Sequence, residues 1–596
     1  MPESGSALKN RFEAAVGDVE RRWRRLSVPV ERLTAKELAA YRANEPAIGW
    51  RVPVPFSDQV RRLDILVSRG FPFSPARIAL VDRPDFLDWP HVEKNGLLCL
   101  LPEHSTLSVD DPYGAVANLL MMACDLVESL LQGGRQDELR SEFLSYWGNT
   151  TTLRNATVLS LVRPGPPARI VRVWQGGNRI VIADSDDILR SWLRNMNRNL
   201  TKKDLRIEDG IFAWLDTAPL PSEYPKTAGD VRALAESGGA ADLLDQISQT
   251  IPNRLFLLLA AQTTNGPAEV AIVVERPPIV RNSDPLTRGF RPSRIPEPLF
   301  KMRFFGATPA IKAAVERVDP EWVHGRGQDA RFARLRRSTV LVLGCGSIGA
   351  PVALTLGHAG IGRLILADNQ LMKSANVGRH PLGVPAINEP KATALAARLR
   401  SDLPHLVVDS HVCKAEDLLH RQDGIPDGLD LIVSAMGNWP ADAMLDEWHH
   451  SCGRKLPVVY GWTEAHAAAG HAVAILTAGG RLRDGVDATG APNLTATQWA
   501  NDPRKQEPAC GAAFEPYGPV ELGYVTSLVA ETALDCILNP PERSIHRIWL
   551  GRRSILERAG GQWTPAIQKI AGAQLDGGVT LERQWGLDQT AKVLAA

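Results

Sequence analysis

Thr339-Val340-Leu341-Val342-Leu343-Gly344-Cys345-Gly346-Ser347-Ile348-Gly349 decides the fold of the C-terminal part of this chain. Its first five residues are apolar or β-branched without alternation, the pattern of a strand covered on both faces in a parallel sheet. Gly344, Gly346 and Gly349 then open a helix that runs to about His358. In such a turn one glycine allows the tight bend, one lets phosphate approach the backbone, and one lets helix and strand pack closely. The helix N-terminus offers free N–H groups and partial positive charge to that phosphate. A second apolar strand, 364–367, ends at Asp368, where a carboxylate can hold ribose hydroxyls. This outline fits a nucleotide-binding βαβ unit, but it also fits any NAD-dependent oxidoreductase, which stands as the rival reading.

Residues further on separate the two. Asn376, Arg379 and the run Glu389-Pro390-Lys391 follow Asp368. Backbone amides serve the pyrophosphate of a dinucleotide, whereas a triphosphate calls for added cations. Arg379 and Lys391 would supply them to the β- and γ-phosphates and stabilise pyrophosphate as it leaves. With these residues the sequence, over roughly 335–540, resembles the ThiF/MoeB/ubiquitin-activating-enzyme family. The resemblance implies an α/β, Rossmann-like adenylation domain that takes ATP and Mg²⁺. Gly344, Gly346, Gly349, Asp368, Asn376, Arg379 and Lys391 would bind the nucleotide. One departure is plain: Gly437 stands where the family has an Asp that helps hold magnesium. Asp442 or Asn438 substitutes, or phosphates and water hold the metal, or the adenylation site is weakened.

An acyl-adenylate is readily captured by a thiolate. Of the C-terminal cysteines, Cys536 lies in an apolar helical run and Cys452 before a strand, and both read as buried. Cys510 follows a long polar stretch, in Pro508-Ala509-Cys510-Gly511-Ala512, and is the expected nucleophile. Cys345, Cys124 and Cys413 read as packing residues.

A second candidate lies near the other end. Phe71-Pro72-Phe73-Ser74-Pro75 leads through a strand, 77–81, to Trp89-Pro90-His91, then Asn95-Gly96-Leu97-Leu98-Cys99. This resembles a ubiquitin-conjugating-enzyme fold, an α+β domain, over roughly 10–150, with Cys99 as its transfer cysteine. His91 occupies the place of the family's oxyanion-stabilising Asn, and an imidazole N–H can donate to such an oxyanion. Leu8, Phe12, Val16, Val19 and Trp23 predict an amphipathic helix at the start, and 113–131 predicts another.

Between these parts, 151–325 reads as an α+β connecting region carrying no chemical motif. Strands are expected at 157–162, 169–174, 179–182, 255–260 and 269–274, and helices at 188–198 and 231–251. The expected division is therefore 1–150, 151–325 and 326–596.

Composition sets the outer bounds. The 596 residues carry 68 Lys and Arg against 67 Asp and Glu, a net charge of +1, which argues against a nucleic acid held by bulk charge. No apolar run approaches the roughly 20 residues that cross a bilayer, and the start does not read as a signal peptide. Seven cysteines without paired spacing suit a reducing, cytoplasmic setting.

The whole arrangement resembles the fused activating–conjugating proteins of bacterial CBASS anti-phage operons. That implies a cargo tail from a cGAS-like nucleotidyltransferase, or from a ubiquitin-like protein, and an acceptor protein. It also implies a homodimer, with Arg326, Arg331 or Arg334 reaching across, and a tail groove at Trp462-Thr463-Glu464 and Ala469-Gly470-His471. Two further rivals are a scaffold that binds a tail without transferring it, and sulfur-carrier activation.

Overall fold

The computed structural model describes residues 3–101, 108–201, 203–248, 254–279, 284–291, 294–306, 308–326, 328–421, 424–476, 480–506, 513–572, 576–586 and 591–594. The chain forms two compact units, one of residues 1–184 and 207–316, the other of 185–206 and 317–596.

The first unit opens with the helix Glu3–Arg25. Val16, Val19 and Trp23 bury its apolar stripe, while Leu8 remains exposed. Four strands follow in antiparallel order, β1 (Glu31–Arg32), β2 (Pro46–Pro55), β3 (Val60–Ser68) and β4 (Arg77–Leu80). The strand β2 was not legible in the sequence, since Pro46, Pro53 and Pro55 argue against a strand. It pairs on both sides all the same, with β1 and β3. The helix Pro112–Leu131 packs six of its residues, Val116, Leu119 and Val127 among them, into the core under this sheet. By length and composition alone that helix would pass for a membrane span, which qualifies the sequence reading.

The connecting region is a closed barrel. Its strands are β5 (Thr157–Ser160), β6 (Arg169–Gly176), β7 (Arg179–Ala183), β8 (Ile207–Leu215), β9 (Arg254–Thr263), β10 (Gly266–Glu275) and β11 (Ala310–Arg317). They close in the order β10-β11-β5-β7-β6-β8-β9. Closure removes every sheet edge, and an interior of Val171, Val173, Phe212, Leu258 and Val273 fills it. The single helix expected over 231–251 is instead two, Ala228–Ser237 and Ala241–Ser248. Gly239, at φ 69°, turns the chain between them in a conformation that glycine adopts at no steric cost.

Outside the barrel lies a second apolar cluster. In it Phe143 and Trp147, from the short helix Phe143–Gly148, pack with Ile211, Leu257 and Ile272 of the barrel strands. Trp147 Nε1 donates to Ala313 O at 2.9 Å. Truncating fully buried Phe143 to Ala would cost about 3–5 kcal/mol.

The second unit is a nine-stranded sheet in the order β14-β13-β12-β15-β16-β17-β21-β23-β24. Its first five members are parallel: β12 (Thr339–Leu343), β13 (Arg363–Ala367), β14 (Val407–His411), β15 (Leu431–Ser434) and β16 (Val458–Thr463). From β17 (Ala469–Ile475) onward, through β21 (Ile545–Leu550), β23 (Val579–Gln584) and β24 (Ala591–Leu594), pairing is antiparallel. The remaining strands, β18 (Thr497–Trp499), β19 (Lys505–Gln506), β20 (Ala513–Phe514) and β22 (Gly561–Trp563), form two small two-stranded sheets. The helices Gly349–His358, Lys391–Asp402 and Pro519–Leu538 cover one face of the main sheet, and Ala415–His420 and Trp439–Ser451 the other. Both faces of β12 are therefore dry, as its unbroken apolar pattern requires. The helix Asp186–Met196 belongs here too, since Asn195 Nδ2 donates to Pro404 O at 2.9 Å.

Candidate functional site: a nucleotide cavity and an exposed thiol

At the C-terminal ends of β12 and β13 the sheet opens into a cavity of about 280 Å³. Strand ends of this kind are where open α/β sheets bind ligands. Gly344 adopts φ 85°, and a Cβ there would meet Ala435 O at 2.8 Å. Gly349 packs so closely that its Cβ would collide with Gly344 O. Around Gly346, by contrast, a Cβ would touch nothing within 4 Å. That glycine lines the cavity and leaves a cradle open to a phosphate.

Asp368 faces the same space. Its Oδ2 accepts from the Cys345 N–H at 2.8 Å and its Oδ1 from the Gln370 N–H at 2.6 Å, so the strand end and the Gly-rich turn are tied together. Lys391 opens its helix beside this carboxylate, only 6% exposed, and Nζ donates to Gln370 Oε1 at 2.8 Å. Burial lowers its pKa, with Asp368 acting the other way and Arg379 and Lys373 adding to the lowering. Arg379 lies over the Tyr517 ring at 5.1 Å, and the Tyr517 hydroxyl meets Ser347 Oγ at 2.9 Å. The two cations are thus brought to one neighbourhood around the turn. Asn376 does a local job, its Oδ1 accepting from the Lys373 N–H at 3.0 Å and holding the turn that carries Arg379.

Most cysteine readings hold, and Cys452 is less buried than expected. Cys345 is fully buried, and burial raises its pKa far above the ordinary thiol value. Cys536 is buried in the long helix and pushed up to about 12. Cys413 is half-buried, packed against the core on one face of the sheet as expected, and it also lines the cavity. Cys452 is half-buried, its Sγ donating to His449 O at 3.3 Å, and Cys124 half-buried against the core of the first unit. Cys510 lies outside the described residues.

The residues expected to form a tail groove are instead an internal fastening. The Trp462 ring lies flat on the His471 imidazole at 4.9 Å, and His471 is fully buried. His471 Nε2 meets Glu464 Oε1 at 2.8 Å, and Nδ1 meets His546 Nε2 at 2.9 Å. Glu464 also accepts from the Ala496 and Thr497 N–H groups at 2.6 and 2.7 Å, so its carboxylate pins the following loop to the sheet. Among the suggested dimer arginines, Arg331 pairs with Asp329 and Arg334 with Asp430, both at exposed positions, and Arg326 sits at φ 57°.

In the first unit the Asn95–Cys99 hairpin folds back on β4. The Leu98 N–H donates to Ile78 O at 2.8 Å, and the Cys99 N–H to His91 O at 2.9 Å. Cys99 emerges exposed, where an acyl group could reach it. His91, at φ 59°, turns its ring towards Glu138, and Nε2 lies 2.5 Å from Glu138 Oε2. Its Nδ1 is 3.9 Å from Glu142 Oε2, and its N–H donates to the Tyr146 hydroxyl at 3.0 Å. The imidazole is therefore anchored by a carboxylate. Burial raises the Cys99 pKa, followed by Glu142 and Glu93, against Arg77.

Comparison with known proteins agrees with this geometry at both ends. The ThiF family model matches residues 324–552, and the Prokaryotic E2 family B model matches residues 22–154. The chain joins an E2 domain to an E1-like adenylation domain. It is 26% identical to the ATP-dependent ubiquitin transferase-like protein Cap2 of Pseudomonas aeruginosa, over 67% of this chain and 74% of that protein. It is 30% identical to mouse adenylyltransferase and sulfurtransferase MOCS3, over 33% of this chain and 42% of that one. Ubiquitin-like modifier-activating enzyme 5 of rice matches at 25%, over 35% of this chain and 49% of that one. The chain thus spans less than half of the latter two. It is an E1-like, ATP-dependent adenylyltransferase with an E2-family domain in the same chain.

The E1-like domain fits ATP better than it fits a protein-held magnesium. Asp442, one suggested replacement at Gly437, is turned inward, where it accepts from Ser434 Oγ at 2.5 Å. Burial raises its pKa to about 6. Asn438, the other, uses its Oδ1 to accept from the Ala441 N–H at 3.2 Å, capping a helix. Among the described residues no group of three His, Cys, Asp or Glu could hold a metal. Asp368 and Glu416 are the carboxylates on the cavity wall, so phosphates and water would supply most of magnesium's oxygen ligands.

Sequence reasoning missed Glu138, Glu142 and Tyr146. Their spacing of four residues, one helical face, was the available signal. Tyr517, which couples Arg379 to the Gly-rich turn, gave no signal at all.

Proposed function

We propose that this chain uses ATP and Mg²⁺ to adenylate the C-terminal carboxylate of a protein, captures it on Cys510, passes it to Cys99 and ligates it to an acceptor. The observation that carries the reading is the pairing, in one chain, of a phosphate cradle flanked by Lys391 and Arg379 with an exposed Cys99 beside carboxylates. The first makes an acyl-adenylate and the second has use for one. The cargo is the C-terminus of a cGAS-like nucleotidyltransferase, the setting cytoplasmic anti-phage defence, and the enzyme works as a homodimer. Likeness to Cap2 supports this assignment.

At the cavity, the cargo carboxylate attacks the α-phosphate and pyrophosphate leaves. Amides of the Gly-rich turn hold phosphate oxygens, and Lys391 and Arg379 offset the charge that develops on the leaving group. Attack by the Cys510 thiolate then releases AMP and forms a thioester, and thiol exchange moves the acyl group to Cys99.

Mixing the protein with ATP, magnesium and a cGAS-like cargo should give a thiol-labile adduct on non-reducing electrophoresis. No ATP-dependent adduct with any C-terminal tail would favour a scaffold that only binds.

A further inference from the structure

We propose that a second cavity, between the E2-family domain and the barrel, binds a small phosphomonoester that carries an apolar ring. It lies wholly in the first unit, apart from the nucleotide cavity, and does not depend on the two-cysteine relay. Its volume is about 620 Å³, within the usual range for small-molecule sites. Phe86, Leu87 and Leu139 of the E2-family domain form one wall. Leu220, Pro221 and Tyr224, from the connection between β8 and the helix Ala228–Ser237, form the other, together with Lys226 and Lys312.

The two lysines set the charge of the ligand. Lys312 sits on β11, where its N–H donates to Thr152 Oγ1 at 3.1 Å and its O accepts from the Thr152 N–H at 2.8 Å. Its half-buried ammonium donates to a neutral partner, Pro225 O, at 3.2 Å. Burial lowers its pKa and Lys226 lowers it further, with no carboxylate among the described residues acting the other way. Asp230 lies near Lys226, but its Oδ2 accepts from the N–H groups of Lys226 and Thr227 at 2.9 and 2.8 Å. Asp88, the acidic residue on the cavity wall, is exposed. Two ammonium groups that repel each other are matched by a phosphomonoester, which carries close to two negative charges at neutral pH.

Tyr224 supplies a donor. Its ring packs edge-on against Trp147 at 5.0 Å and Phe143 at 5.9 Å, and the residue is only 4% exposed. The hydroxyl has no hydrogen-bond partner among the described residues. Buried hydroxyls are rarely left unpaired, and a phosphate oxygen in the cavity would satisfy this one. Burial raises its pKa, so the proton stays on the oxygen. The apolar side chains opposite suit the body of the ligand, which is why a ring-bearing ester fits better than bare phosphate. Residues 86–88 run directly into Trp89-Pro90-His91, and Leu139 follows Glu138, whose Oε2 is 2.5 Å from His91 Nε2. A ligand seated here therefore braces both segments that hold His91.

Phenyl phosphate is the probe, titrated into the full-length protein by isothermal calorimetry. Wild type should bind it with a Kd below about 1 mM, and inorganic phosphate at least roughly tenfold more weakly, because the apolar wall is then left unfilled. Lys312→Gln and Tyr224→Phe should each weaken phenyl phosphate at least roughly tenfold, since each removes a partner of the charged phosphate. Both keep the fold: the glutamine can still donate to Pro225 O, and the phenylalanine keeps the ring on Trp147. Lys226→Gln, at an exposed position, should weaken binding about threefold. Lys391→Ala should leave it unchanged. Amide hydrogen exchange should slow at 86–91 and 221–226 on binding, and not at 344–349. Binding that survives Lys312→Gln and disappears in Lys391→Ala would put the probe in the nucleotide cavity and overturn the inference. No saturable binding at or below about 1 mM would also overturn it. Equal affinity for inorganic phosphate would mark a bare anion contact and remove the proposed ligand class.

Discussion

The nucleotide cavity and the Cys99 site hold their reactive groups by different means. The cavity lies at the ends of neighbouring strands of one sheet, lined from 344–370 and 413–441, and backbone geometry there places Gly346 and Asp368, with Lys391 bonded to Gln370 of the wall. The Cys99 site is assembled from two apolar clusters. The hairpin bearing Cys99 and His91 rests on the E2-like core, while Glu138, Glu142 and Tyr146 come from helices anchored on the barrel. A site built on the strand ends of one sheet tolerates change outside that sheet, whereas a site resting on two clusters fails when either shifts.

The largest expected effect is at the composite site. Cys99→Ser should abolish ligation, a loss above about a thousandfold, because a hydroxyl is far less acidic and less nucleophilic than a thiol. ATP–pyrophosphate exchange should persist, and a variant that lost both would show that the two sites are not separable.

Lys391→Ala comes next, with a fall in exchange of about 10²–10³-fold as the developing pyrophosphate charge loses a partner. The protein should remain folded by circular dichroism. Equal exchange in the variant would remove Lys391 from the triphosphate site.

Asp442→Asn probes the metal question through stability. A carboxyl whose folded pKa is raised contributes stability below its unfolded value of 3.8 and loses it as pH rises through about 6. The Asn variant has no such loss. Its melting temperature should gain on wild type as pH goes from 4 to 7, by the equivalent of about 3 kcal/mol. Weakened magnesium dependence of exchange in this variant would return Asp442 to the metal site.

The smallest effect belongs to Gly346→Ala. The new methyl meets nothing in the protein but enters the cradle. Stability should hold within about 1 kcal/mol, while the KM for ATP rises about tenfold. An unchanged KM would move the phosphate away from Gly346.

The same contrast explains what could be read from sequence. The apolar run 339–343, the glycines and Asp368 are a contiguous pattern with a period and a mechanical purpose, so the βαβ unit was visible. The Cys99 hairpin was visible for the same reason. The barrel was not, because closure depends on which strands pair, and β5 beside β7 or β8 beside β9 leaves no local mark. Gly238-Gly239 broke a helix that periodicity alone would continue. Trp462, Glu464 and His471 looked like an exposed recognition stretch, yet their partners, Thr497 and His546, are distant in the sequence. Glu138 and Glu142 are four residues apart, but nothing local says that the barrel packs behind them and that both meet His91.

The central claim, a relay from Cys510 to Cys99 driven by ATP, is tested most directly by the Cys510→Ala variant. With ATP, magnesium and cargo, Cys510→Ala should retain pyrophosphate exchange and carry no thioester on Cys99. Charging of Cys99 at the wild-type rate in that variant would contradict the relay and show that Cys99 takes the acyl group directly from the adenylate.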